Sequence, residues 1–130
     1  MPLGHIGVNV RDLARARAYY DAFMPLVGFE SFFAADDEFS YRPAGGKPGT
    51  YLFFYPALED GGYSRHRPGL QHLAFMVRTR EDVDRLHDWA VRQGANVIST
   101  PQEFPQYGPA HYASFWEDAD GVMLEVVCHK

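Results

Sequence analysis

Gly4-His5-Ile6-Gly7-Val8-Asn9-Val10 and Leu70-Gln71-His72-Leu73-Ala74-Phe75-Met76-Val77 are the two stretches that decide the fold. Each places apolar residues at alternate positions, the period of a strand with one buried face. With His5 set on His72, an offset of 67, Ile6, Val8 and Val10 fall on Leu73, Phe75 and Val77. A strand that recurs in step with itself marks an internal repeat, so the fold is built from one unit used twice.

The segments after the two strands match as well. Asp12 precedes Leu13, Ala16, Tyr20, Phe23 and Val27, an apolar stripe at helical spacing. Asp12 is a candidate N-cap and Gly28 a candidate C-cap, with Pro25 set to end the helix early. In the second half, Thr79-Arg80-Glu81-Asp82 has the form of a capping box. Val83, Leu86 and Ala90 continue as a stripe, and Gly94 closes it. Aromatic and β-branched stretches then predict strands at 30–34, 38–42 and 50–55, and at 96–100, 112–116 and 122–128. Gly45, Gly46, Pro48, Gly61, Gly62, Pro105, Gly108 and Pro109 punctuate the connections.

Each half is therefore strand–helix–strand–strand–strand, over about 1–60 and 70–130, with a joint near Asp60–Gly69. A lone half of about 60 residues buries only a marginal core. A single α+β domain over 1–130 is expected, its two βαβββ modules sharing a concave face.

Composition removes several classes of function. With 46% hydrophobic and 22% charged residues, the chain is globular and not disordered. A net charge of −5 and the lack of a basic stripe argue against nucleic-acid binding and against an anionic membrane surface. The longest apolar run, Tyr51-Leu52-Phe53-Phe54-Tyr55, is far too short to span a bilayer. No secretory h-region stands near the first residues, so a cytoplasmic protein is expected. Cys128 is the single cysteine, which excludes an internal disulfide and a Cys-rich zinc site.

Three residues stand out chemically. Glu125 lies among Val122, Met123, Leu124, Val126 and Val127, where an inward carboxylate needs a partner or an ion. His5 and His72 occupy equivalent places in the repeat. Two histidines and a carboxylate are a facial set for Fe(II), and zinc uses similar sets with an open position.

On Gly4-His5-Ile6, Leu70-Gln71-His72-Leu73-Ala74-Phe75 and Trp116-Glu117-Asp118-Ala119-Asp120-Gly121-Val122-Met123-Leu124-Glu125, the chain resembles the vicinal oxygen chelate superfamily. That group contains glyoxalase I, bleomycin- and fosfomycin-resistance proteins, and extradiol dioxygenases. The resemblance covers nearly the whole chain and implies two βαβββ modules forming a cupped, half-open barrel. It implies one divalent ion (Fe, Zn, Ni, Mn or Co) on His5, His72 and Glu125. Glyoxalase I takes a fourth ligand from the last strand of its first module, where the repeat here sets Phe53, with Tyr51 and Tyr55 two residues to either side. These three aromatics are candidate substrate-binding residues. Extradiol dioxygenases also place a His and a Tyr near the metal to move protons, for which His111, Tyr107 and Tyr112 are candidates. His111 and Tyr112 are adjacent, so a strand directs only one of them to a given face. His66 and His87 are expected to face solvent, and His129 to be uninvolved.

The implied activity is that of a metal-dependent enzyme on a small substrate that chelates the ion through oxygen. Oxygen insertion, isomerisation, epimerisation and thiol addition all fit this frame. The alternative is a metal-free binding protein of the bleomycin-resistance type. A homodimer is expected, since sheet edges need cover and small two-module members commonly pair. The metal site can then lie within one chain or be shared across the pair.

Overall fold

The computed structural model describes residues 3–130. The chain separates into two compact units that meet between Gly61 and Gly62, inside the stretch expected to be the joint. The first runs β1 (His5–Val10), α1 (Leu13–Phe23), β2 (Phe29–Ala34), β3 (Phe39–Pro43) and β4 (Tyr51–Pro56). The second runs β5 (His72–Met76), α2 (Arg80–Arg92), β6 (Asn96–Glu103), β7 (Tyr112–Glu117) and β8 (Met123–Cys128). Both sheets have the same order, β1-β4-β3-β2 and β5-β8-β7-β6. In each, the first strand pairs in parallel with the last, and the other pairs are antiparallel.

Capping agrees with the sequence. The Asp12 side chain accepts a hydrogen bond from the Arg15 amide at 3.0 Å. Pro25 stops α1 by converting the next turn, Met24–Val27, to 3-10 geometry, and Gly28 closes it at φ 86°. The box at Thr79 is reciprocal: its hydroxyl accepts from the Asp82 amide, and the Asp82 carboxylate accepts from the Thr79 amide. Ala16, Tyr20 and Phe23 of α1, and Val83, Leu86 and Ala90 of α2, are the buried stripes.

The pairing registers settle which residues share a face. In the first unit Tyr20 stacks against Phe54 at 4.4 Å, so Leu52 and Phe54 of β4 and Val8 and Val10 of β1 face α1. In the second, Ser114 contacts His87 of α2 at 3.1 Å, so Ser114, Trp116, Leu124 and Val126 face the helix. Neighbouring positions therefore face away from it, among them His72, Phe115 and Glu125. All six residues of β8 are buried.

The turn that feeds β8 explains the Glu-Asp-x-Asp-Gly motif. The Asp118 carboxylate accepts hydrogen bonds from the amides of Asp120 and Val122 at 2.9 and 3.0 Å. Gly121 sits at φ 87°, a conformation that costs an L-residue about 1–2 kcal/mol. Its amide closes the turn onto the Asp118 carbonyl at 3.0 Å. Five strands lie within one residue of the expected bounds, and β6 continues to Glu103 through irregular pairing with β7. β8 starts at Met123 because Val122 belongs to this turn. Among the described residues no helix is long and apolar enough to cross a membrane.

Replacing Gly121 by Ala is expected to lower stability by about 1–2 kcal/mol. A urea melt compared with Gly61→Ala, where a Cβ meets nothing within 4 Å and φ is ordinary, checks this.

Candidate functional site

Glu125 lies at the centre of the second sheet, opposite Ala74 of β5 and Phe115 of β7. It is 4% exposed. A buried carboxylate must be hydrogen-bonded or paired, and this one meets two imidazoles. His72 Nε2 stands 3.1 Å from one carboxylate oxygen and His111 Nε2 stands 2.9 Å from the other. Among the described residues, every buried side-chain nitrogen or oxygen has a partner.

Register brings these groups together. His72 opens β5 opposite Met123, so Glu125, two residues further along β8, rises on the same face. His111 immediately precedes β7, with its amide on the Gly108 carbonyl and its carbonyl accepting from the Phe104 amide at 2.8 Å. Phe104 and Phe115 wall the cluster, with Phe115 edge-on to His72 at 5.9 Å and Phe104 edge-on to His111 at 6.1 Å. A cavity of about 520 Å³ opens here and includes Tyr107, Met123 and His129 in its lining.

The structure sorts the proton-moving candidates. His111 touches Glu125. Tyr107 is 67% exposed and lies with its ring 5.3 Å from that of His111. Tyr112 is turned to the helix side, where its phenol donates to Asp84 at 2.7 Å. That bond, then burial and the Asp84 charge, hold the phenol above its ordinary pKa and keep it protonated. Two expectations need correction. His129 lies with its ring 5.1 Å from His111 and lines the cavity, because β8 extends to Cys128 and carries it there. His87 is half-buried against Ser114 and does not face solvent.

The first unit gives the matching position a different chemistry. His5 pairs with Tyr51 and Gly7 with Phe53, as His72 pairs with Met123 and Ala74 with Glu125. Phe53 therefore occupies the place of Glu125, as the repeat alignment predicts. Its ring meets His5 edge-on at 5.3 Å. Tyr51, Phe53 and Tyr55 share one face with His5, away from α1, and Phe32 covers part of it. The Tyr55 ring lies over Gly7, where a Cβ would come within 3.2 Å of it.

The glyoxalase-family model matches residues 3–126. The chain belongs to the Glyoxalase/Bleomycin resistance protein/Dioxygenase superfamily. It is 29% identical over 126 residues to the uncharacterized protein YqjT of Bacillus subtilis, covering 95% of each chain. It is also similar to a solved structure of a Bacillus halodurans protein that carries a provisional glyoxalase name. The TM-score there is 0.81 at 29% identity, over 97% of this chain and 94% of that one. A glyoxalase/bleomycin resistance protein from Albidiferax ferrireducens shares the fold at a TM-score of 0.78 and 18% identity, over 100% of both chains.

The superfamily contains many enzymes and commonly uses a divalent metal. Among the described residues no three His, Cys, Asp or Glu side chains stand as a ready-made metal centre. The donor chemistry of the Glu125 cluster nevertheless fits such an ion. The two nitrogen–oxygen separations are those of hydrogen bonds, each to a different carboxylate oxygen. His72 Nδ1 contacts the side-chain oxygen of Gln71.

Tyr112→Phe is expected to cost about 0.5–1.5 kcal/mol of stability through the lost Asp84 bond. Scanning calorimetry of the two proteins checks this.

Proposed function

We propose that this chain is a divalent-metal-dependent enzyme acting on a small substrate that chelates the ion through oxygen, in a dioxygenase, lyase or isomerase type of reaction. The observation that carries this reading is Glu125, buried at the wall of a cavity with an imidazole Nε2 on each carboxylate oxygen. His72 and Glu125 are assigned as ligands. His5 is assigned as a third, supported by its repeat position, which in β1 is that of His72 in β5. Imidazole and carboxylate suit Fe, Zn, Ni, Mn and Co alike. A bound ion supplies a Lewis acid that polarises chelating oxygens. Tyr51, Phe53 and Tyr55 are assigned to the apolar part of the substrate, supported by their common face with His5. Proton movement falls to His111 or Tyr107, both lining the cavity.

The competing reading is a metal-free binding protein. It is favoured by the same carboxylate, whose two oxygens are satisfied by hydrogen bonds without an ion. Calorimetric titration with zinc separates the two. The enzyme reading expects one ion per chain, with binding by Glu125→Gln weaker by at least about tenfold, the lower end of what loss of even an outer-shell partner costs. Undetectable binding by the wild type, or equal binding by the variant, overturns it.

We also propose a homodimer, supported by the edge strands that each sheet leaves, β1 and β2 in one and β5 and β6 in the other. Light scattering at micromolar concentration should give twice the chain mass, and a monomer refutes the proposal. Mixing His5→Ala with Glu125→Ala chains then reads whether sites are shared, since shared sites regain one intact metal site per pair.

A further inference from the structure

We infer that Tyr63 and Arg65 are positioning residues, the two anchors of a strap that holds His72 within reach of Glu125. The inference rests on the reading of the Glu125 cluster as the site and deepens it. Strap, anchors and cluster all lie in the second unit.

The sequence marks 60–69 as a connection, but its latter part is folded onto the second unit. The Tyr63 phenol donates to the Leu70 carbonyl at 2.5 Å, and its ring lies against Gly121, where a Cβ would stand 4.0 Å from it. Arg65 Nε donates to Glu117 at 3.2 Å, with the two side chains only 16% and 22% exposed. The other oxygen of Glu117 accepts from the Asn96 side-chain amide at 2.7 Å. Within the segment, the Ser64 hydroxyl accepts from the His66 amide, and Arg67 donates to the Gly62 carbonyl. A connection tied this often is a fixed element and not a free tether.

Both anchors act where the donors of the cluster enter the sheet. Glu117 ends β7 opposite Met123, and Met123 pairs with His72. His72 is therefore on the first rung of the β5–β8 ladder, where pairing frays. The repeat shows what such an entry needs. At the offset of 67, Leu70 matches Leu3, whose carbonyl accepts from the Thr50 hydroxyl at 2.9 Å, one residue before β4. The place of Thr50 in the second unit is taken by Val122, which has no hydroxyl, and the Tyr63 phenol reaches the Leu70 carbonyl instead. That bond holds the chain two residues before His72 and so fixes the 3.1 Å approach of its imidazole to Glu125. Burial, then the Asp118 charge, raises the pKa of the Tyr63 phenol, which keeps it a donor at neutral pH.

The opposing role is a merely structural one, in which Tyr63 adds stability and His72 stays in place without it. The test therefore reads His72 directly. Its ring signals are recorded by NMR in the whole chain and assigned by their loss in His72→Gln, and Glu125→Gln marks where they stand without the carboxylate. Tyr63→Phe keeps the ring against Gly121 and removes the bond to Leu70. It is expected to shift the His72 signals part of the way to their Glu125→Gln position. Tyr112→Phe, which loses a phenol bond on the helix side, is expected to leave them in place. Where Tyr63→Phe does not fold, Arg65→Gln releases the other anchor and is read in the same way. Unmoved His72 signals, or an equal shift in Tyr112→Phe, overturn the inference. Zinc titration of the wild type tests the metal-dependent reading by itself, so either can fail while the other stands.

Discussion

Parallel pairing of the first and last strand of each unit is the constraint on which the rest depends. A parallel pair needs a crossover, and here the crossover starts with a helix and continues through two antiparallel strands. The last strand returns to the centre of the sheet, where neighbours on both sides satisfy its backbone. β8 is buried along its whole length, whereas β4, in the same place of the first sheet, is buried only at Leu52 and Phe54. A glutamate buried in β8 needs partners, and imidazoles at its two oxygens answer that demand.

The hydrogen bonds that begin β8 fix the chemistry one step earlier in the chain. Asp118 folds the turn by accepting from two amides, and Gly121 supplies the positive φ. A shift of one residue in this turn would move Glu125 to the α2 face, where Leu124 and Val126 now pack. The motif is thus a register device as much as a chemical signature. Asp118 and Gly121 act on Glu125 through the backbone register.

Much of this was legible in the sequence, because it depended on period and spacing. Alternation gave β1 and β5, the stripes with their caps gave α1 and α2, and the likeness of the two last strands set Phe53 at the place of Glu125, as the pairing of Phe53 with Gly7 and of Glu125 with Ala74 bears out. The reciprocal Thr79–Asp82 box was readable from four consecutive residues. Features that stayed hidden depended on contacts between elements. His87 lies on α2 at a position that looks solvent-facing, but Ser114 of β7 comes to meet it. His129 comes just after the last strand, and only the register of β8 on β7, Cys128 against Tyr112, shows that its ring arrives beside His111. The choice between His111 and Tyr112 needed the phase of β7, which a single preceding loop residue does not reveal.

The two units share one scaffold and diverge at one face. Toward the helices both are mainly apolar: Val8 and Phe54 in one unit do what Phe75 and Val126 do in the other, and Ser114 there is paired with His87. On the opposite face the same register positions carry His5 beside Phe53 in the first unit and His72 beside Glu125 in the second. Phenylalanine needs no partner in a half-buried place, whereas a buried carboxylate does. Exchanging one for the other leaves the sheet intact but changes what must surround it. The second unit accordingly carries His111 at the cluster, and the first carries an aromatic face. The scaffold used twice sets two histidines in matching places, and Phe53 in one unit against Glu125 in the other separates apolar surface from donor chemistry.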